Sequence, residues 1–444
     1  MAEEYRFRAR HIEPTRSNVA GYDIVAAAVV RKVLYFGIAL ALCAVHLLLP
    51  IERGFPTPRI VGLPFTLTIL VSMIVGVVLF FESNGKILVI LLDRYVRIQL
   101  FIVWLFSFGA VISANLQSGM FVALSYFITF VLDYMILVYL FRRGFRSEFI
   151  AILVFVAFLA TLVGAAEGIV GYSLSFYTDA FLNANVIRGF RVLGTLGNPI
   201  IYPMALILAV PLIMEIKASY IKYPMIGLVF VVSLLAISTT AVLMWALLGL
   251  GIAMISKRKV RLIVIVAVAL TLILLAIPSL GWDSGYIGSI PLERLVLTNP
   301  VSTQTRLDVL FGVWDIYVRD LDVFRLLVGY GLRSVSPAVQ SLGLQTDTPD
   351  NVYMALLFEN GLLGLGAFLF LGAAILWRFR WSIWKRLDGY AILAWFVAGF
   401  IFTTIYYETF NFVWVALVAN LTVIGATSKM EKRHHLLSKG KIAS

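Results

Sequence analysis

Residues 121–147 read FVALSYFITFVLDYMILVYLF followed by RRGFRS, and this stretch decides the fold. Its first part, 121–141, holds one charged side chain, Asp133, and is long enough to cross a hydrocarbon core of about 30 Å as a helix. The connector after it carries Arg142, Arg143 and Arg146, and a short basic connector of this kind is retained on the cytoplasmic side of a membrane. Runs of the same apolar character lie at 33–51, 64–81, 98–114, 148–168, 200–216, 224–238, 239–255, 262–278, 351–377, 389–406 and 412–426. The sequence therefore predicts an all-α polytopic membrane protein of about 12 transmembrane helices.

The composition agrees. Hydrophobic residues make up 61% of the 444 positions and charged residues 14%, with a mean hydropathy of +0.96, whereas soluble domains are roughly one half apolar. A large soluble catalytic domain is excluded. The net charge of +12 would suit a nucleic-acid binder if the bases were clustered, but 27 of the 36 Lys and Arg fall in 1–32, 82–97, 142–147, 217–223, 256–261, 378–388 and 427–444. These are alternate connectors of the 12-span count, so the charge follows topology and no nucleic-acid partner is expected. Both termini are expected in the cytoplasm, with a tail 1–32, a single transmembrane domain 33–426 and a tail 427–444. The polar lead lacks a signal-peptide cleavage pattern, so the first span is expected to be an uncleaved anchor.

Cys43 is the single cysteine; inside the first span, it reads as a small apolar residue. His11, His46, His434 and His435 have no Cys, His or carboxylate spacing around them, so no metal and no other cofactor is expected. Two connectors, 82–97 and 378–386, alternate apolar and cationic residues as helices anchored at a membrane surface do.

Two segments break the rhythm of short connectors, 169–199 and 279–350, and on the charge count both are extracytoplasmic. Long connections in a compact protein usually bind or cover something, so the chemistry is expected there. The turn between the short spans 224–238 and 239–255, with Ser238, Thr239 and Thr240, is placed to form a cavity floor. Asp133, Glu167 and Glu359 lie within spans and must face protein or water.

Three stretches carry candidate chemistry. In Arg188-Gly-Phe-Arg191-Val-Leu-Gly194-Thr195-Leu-Gly197-Asn198-Pro199, two arginines precede a glycine-rich bend. Arginine suits paired bonding to phosphate, and glycine lets backbone amides approach an anion; the plainer reading is a charged rim followed by a turn. In the long loop, Arg294, Arg306, Arg319, Arg325 and Arg333 sit among eight acidic residues and no lysine. Leu307, Leu310, Phe311, Trp314 and Tyr317 predict a surface helix after Arg306, and the turn Gly329-Tyr330-Gly331 would return Arg333 toward a cavity. In Asp350-Asn351-Val352-Tyr353, Asp350 reads either as a helix N-cap or as a base at a cavity mouth.

These pieces resemble, in order, the O-antigen ligase and O-antigen polymerase superfamily of bacterial surface-polysaccharide assembly. Arg191-x-x-Gly194-Thr195-x-x-Asn198-Pro199 is similar to that family's Arg, Gly-Thr and Asn-Pro signature. Arg306 with Trp314 and Gly329-x-Gly331 resembles its external loop, and Asn351-x-Tyr353 with Glu359-x-Gly361-x-x-Gly364 resembles the span that follows. Two departures, Asp350 in place of a histidine and Ser238-Thr239-Thr240-Ala241 in place of a Ser-Arg pair, point toward a polymerase rather than a ligase.

The resemblance implies a GT-C-like architecture and a metal-independent, inverting glycosyltransferase at the outer leaflet of the bacterial inner membrane. Its donor and acceptor would be undecaprenyl-diphosphate-linked oligosaccharides, its surroundings membrane lipids, and its partners a chain-length regulator and a flippase. It implies catalytic roles for Asp350, Arg191 and Arg306, and substrate contacts for Arg188, Asn198, Arg333, Asn351, Tyr353 and Glu359. The alternatives are a ligase transferring polymer to lipid A core or protein and, from another class, a transporter or flippase.

Overall fold

The computed structural model describes residues 14–48, 59–60, 63–64, 66–171, 192–196, 198–236, 238–255, 300–319, 322–343, 351–379, 386–400 and 411–426. The chain is a helical membrane protein. Its helices are α1 (Pro14–Leu47), α2 (Leu67–Glu82), α3 (Arg94–Ile112), α4 (Leu116–Arg142), α5 (Arg146–Val170), α6 (Ile201–Met214), α7 (Ser219–Leu235), α8 (Thr239–Ile255), α9 (Pro300–Arg319), α10 (Val323–Val328), α11 (Val335–Ser341), α12 (Val352–Phe379), α13 (Leu387–Ala398) and α14 (Asn411–Ala426). Among the described residues, five are long and apolar enough to cross a membrane: the Ala27–Leu47 part of α1, then α3, α4, α5 and α12. The bent pair Leu67–Glu82 plus Lys86–Leu92 makes a sixth if counted as one span. The other apolar runs lie on shorter helices, α6, α7, α8, α13 and α14; the run 262–278 lies outside the described residues. Between α1 and α2, Arg59–Ile60 pairs antiparallel with Leu63–Pro64.

The connector 82–97 is not a continuous helix. Asn84 and Gly85 take left-handed backbone, φ 49° and 74°, and turn the 3-10 helix Lys86–Leu92 by 111° from α2. Leu88, Val89 and Leu92 are exposed on it, as expected of a segment lying along the membrane surface.

Connectors that the charge count places on one side meet at one end of the bundle. Arg31 Nε lies 3.4 Å from Glu82 Oε1, and Tyr139 donates to Glu82 Oε2 at 2.6 Å. Arg378 bonds both oxygens of Asp93 at 2.6 and 3.0 Å. Glu215 pairs with Arg146 and, at 2.7 Å, with Arg386. The sequence places Arg378 and Arg386 as membrane-surface anchors; Arg378 instead grips Asp93 with two prongs, the strong kind of pair, and Arg386 bridges Glu215 and Asp388 with one bond to each. The tip of α8 sits beside the start of α13 at this end, where a Cβ on Gly251 would approach Tyr390 Cγ to 2.5 Å. The start of α12 lies at the opposite end, where Val352 N donates to Gly399 O at 2.8 Å.

At the opposite end a second, smaller core forms. Val309, Val313 and Tyr317 of α9, Val335 and Val339 of α11, and Ala355 and Phe358 of α12 pack together. The buried face of α9 only partly follows its aromatic spacing: Leu307, Phe311 and Trp314 are exposed, while Val309, Val313 and Tyr317 face inward.

What seats this external unit is a break in α12. Gly361 adopts φ 60°, ψ −162°, a conformation that L side chains rarely take, and a Cβ there would lie 2.5 Å from Val328 N. From Leu362 to Phe379 the helix still runs about 27 Å, nearly the core thickness. Residues 352–360 bridge the two cores: Val352 and Leu356 pack into the main bundle, Ala355 and Phe358 into the smaller unit.

Candidate functional site

The stretch after Arg191 is two residues of irregular backbone, Val192 and Leu193, and a single 3-10 turn, Gly194–Leu196, held inside the bundle. Thr195 Oγ1 donates to Leu47 O at 2.5 Å, and the run along α1 from Arg31 to Leu47 is about 24 Å, within a 30 Å core. Non-helical backbone at such depth persists only where protein satisfies its polar groups. Here Val192 N donates to Leu235 O at 3.3 Å, and Glu167 Oε2 accepts from Leu193 N at 2.9 Å and Gly194 N at 2.7 Å. Glu167 is 0% exposed. Its carboxyl, costly to bury in a span, accepts from amides that would otherwise be orphaned. Gly194, at φ 58°, lies against the ring of Tyr202, whose hydroxyl donates to Ala160 O at 2.6 Å.

Asn198, expected to touch substrate, accepts from Ile200 N at 2.8 Å and Ile201 N at 3.2 Å and so caps the start of α6. Arg188 and Arg191 lie outside the described residues, Arg191 directly before this anchored stretch. Ser238 and Thr240, at the turn expected to floor a cavity, are buried, next to the Leu235 carbonyl that receives Val192.

The Gly329-Tyr330-Gly331 turn fills the break in α12. Tyr330 N donates to Phe358 O at 2.8 Å and Gly331 N to Glu359 O at 2.9 Å, satisfying carbonyls that a broken helix leaves without intrahelical partners. Leu332 N donates to Gly109 O at 3.0 Å, and Ser113 Oγ to Leu332 O at 2.6 Å, pinning the turn to the end of α3. The turn latches the loop onto the break, and Arg333, at φ 64°, follows it with an exposed side chain. Glu359 is fully buried at the break. Arg306 falls within α9, its side chain outside the described ones.

The cap of α12 needs correction. Asn351 Oδ1 accepts from Met354 N at 2.9 Å, the N-cap bond, so Asn351 and not Asp350 holds that position. Asn351 Nδ2 also donates to Phe400 O at 3.2 Å. Tyr353 donates its hydroxyl to Phe396 O at 2.7 Å and packs on Phe400, ring centroids 4.2 Å apart. Asn198, Asn351 and Tyr353 thus position backbone. Asp350 lies outside the described residues, as does the expected convergence of Arg191, Arg306 and Asp350.

One constellation escaped the sequence reading. His46, which the sequence leaves without a carboxylate nearby, has Nε2 3.3 Å from Asp133 Oδ2, both side chains 0% exposed, and its ring stacks on Phe412 at 4.1 Å. Asp133 closes a π-helical stretch, Phe127–Asp133, a distortion frequent at functional positions. The signal available was the isolated aspartate itself; its partner, in another span, was not legible. Among the described residues, no group of three or more His, Cys, Asp or Glu is placed to hold a metal ion.

No protein-family model matches the chain, nor does any curated protein or solved structure.

Proposed function

We propose that this protein polymerises polyprenyl-diphosphate-linked oligosaccharide units on the membrane face opposite its termini. The observation that carries the reading is the anchoring of all three motif segments, 192–198, 329–333 and 351–361, at the bundle end opposite the ion pairs. Charges in an enzyme of the outer leaflet belong at span ends and in external segments, whereas a transporter concentrates them at the midplane.

In the proposed reaction an acceptor sugar hydroxyl attacks the donor's anomeric carbon. Its proton passes to the Asp350 carboxylate, the new glycosidic bond forms, and the bond to the diphosphate breaks with inversion. Arg191, with Arg188 and Arg306 behind it, neutralises the departing diphosphate. A cell lacking the protein is expected to accumulate single lipid-linked units and lose polymer. Finished polymer left on its lipid carrier would instead identify a ligase.

A transporter reading draws on the broken α12 and the buried His46–Asp133 pair, both features of transporters. The filling of the break by Gly329-Tyr330-Gly331 weighs against it, since a substrate site there would be open. Loss of a transporter would leave the lipid-linked units on the inner leaflet.

Sidedness is tested separately. With buried Cys43 replaced in a Cys43→Ala background, cysteines at Ser302 and Ser438 should label oppositely with an impermeant thiol reagent. Labelling of both from outside would overturn the orientation.

A further inference from the structure

Away from the motif segments, α3 and α12 leave a lateral groove of about 610 Å³ whose lining includes Arg94, Arg97, Phe101, Leu362, Gly366 and Phe370. Its mouth lies at the ion-paired end, and its apolar floor runs toward the bilayer centre. Phe101 and Phe370 are 50% and 53% exposed, and the space beside Gly366 is open, with nothing within 4 Å of a Cβ built there.

The carboxylate beside Arg94 and Arg97 is committed. Asp93, next in sequence to Arg94, gives both oxygens to Arg378 and accepts from Tyr95 N at 2.9 Å. Burial alone would raise the Asp93 carboxyl, but Arg378 outweighs it and holds the group below the usual carboxylate range, with Arg142 adding to the effect. Asp93 is therefore an anion already answered by a cation. Arg94 and Arg97 are exposed and form no ion pair among the described residues. Two unanswered guanidinium groups at the head of a long apolar trough match an amphiphile with an anionic phosphate head and a hydrocarbon tail.

We propose that this groove binds an anionic phospholipid, its phosphodiester between Arg94 and Arg97 and one acyl chain laid past Gly366. The site is independent of glycosyl transfer and stands whether or not the protein is a polymerase.

The test is native mass spectrometry of the full chain in detergent with equimolar phosphatidylglycerol and phosphatidylcholine of identical acyl chains. Wild type is expected to retain phosphatidylglycerol preferentially, by roughly fivefold for each arginine engaged. Arg94→Gln with Arg97→Gln should bring the two lipids to parity. Gly366→Phe, which fills open space rather than packed core, should lower retention of both lipids while thermal stability holds. Equal retention by wild type, an unchanged preference in the double variant, or unchanged retention in Gly366→Phe would each overturn the proposal. So would saturable binding of inorganic phosphate alone with the same arginine dependence, since the site would then belong to free anions.

Discussion

Asp350→Asn is expected to leave the protein folded and able to hold its lipid-linked donor, while polymer formation slows by roughly 10²-fold or more, the usual scale of general-base catalysis. The substitution is nearly isosteric and removes only the charge and the basicity. Its interpretation is sharpened by the cap of α12: because Asn351 already accepts from Met354 N, a change at Asp350 does not remove the helix's N-cap bond. A loss of rate therefore cannot be ascribed to an uncapped helix. Arg191→Lys is the companion, keeping the charge but removing the two-pronged geometry on phosphate, and it should weaken donor use rather than acceptor activation. The measurement is turnover of purified lipid-linked units. Wild-type turnover by Asp350→Asn would remove Asp350 from the chemistry.

Glu167→Ala is expected to destabilise the protein by about 2–6 kcal/mol, because two buried amides lose their acceptor and leaving each unsatisfied costs about 1–3 kcal/mol. Glu167 Oε2 receives Leu193 N and Gly194 N, and both residues are buried. Glu167→Gln keeps an oxygen in the same place and should cost about 1 kcal/mol. Hydrogen exchange at these two amides gives the direct readout: protected in wild type, largely protected in the glutamine variant, fast in the alanine variant. An alanine variant with unchanged melting and unchanged protection would show that the stretch is held by Thr195 and Leu235 alone.

That the chain is a helical membrane protein was legible in the sequence because hydrocarbon thickness imposes a length on apolar runs. Among the described residues, basic connectors also meet acidic ones at a common end, Arg31 with Glu82 and Arg378 with Asp93. The site was less legible, for reasons specific to each residue. Asp350 and Asn351 are both good N-cap types, so composition could not choose between them. The break at Gly361 hides in an apolar run that reads as one helix. On α9 apolar residues surround the axis, so periodicity could not decide whether Val313 or Trp314 faces the core. His46 and Asp133 meet through tertiary packing, which no local spacing encodes.

The latch between the Gly329-Tyr330-Gly331 turn and α12 has a mechanical consequence. Two amides of the loop bond two carbonyls of the helix, and the same turn is tied to Gly109 and Ser113 at the tip of α3. The external unit is therefore not a lid on a hinge. It shares a rigid seat with two transmembrane helices, and any tilt of α12 in a thinner or thicker bilayer is carried through Gly361 to Asn351 and the helices stacked upon it.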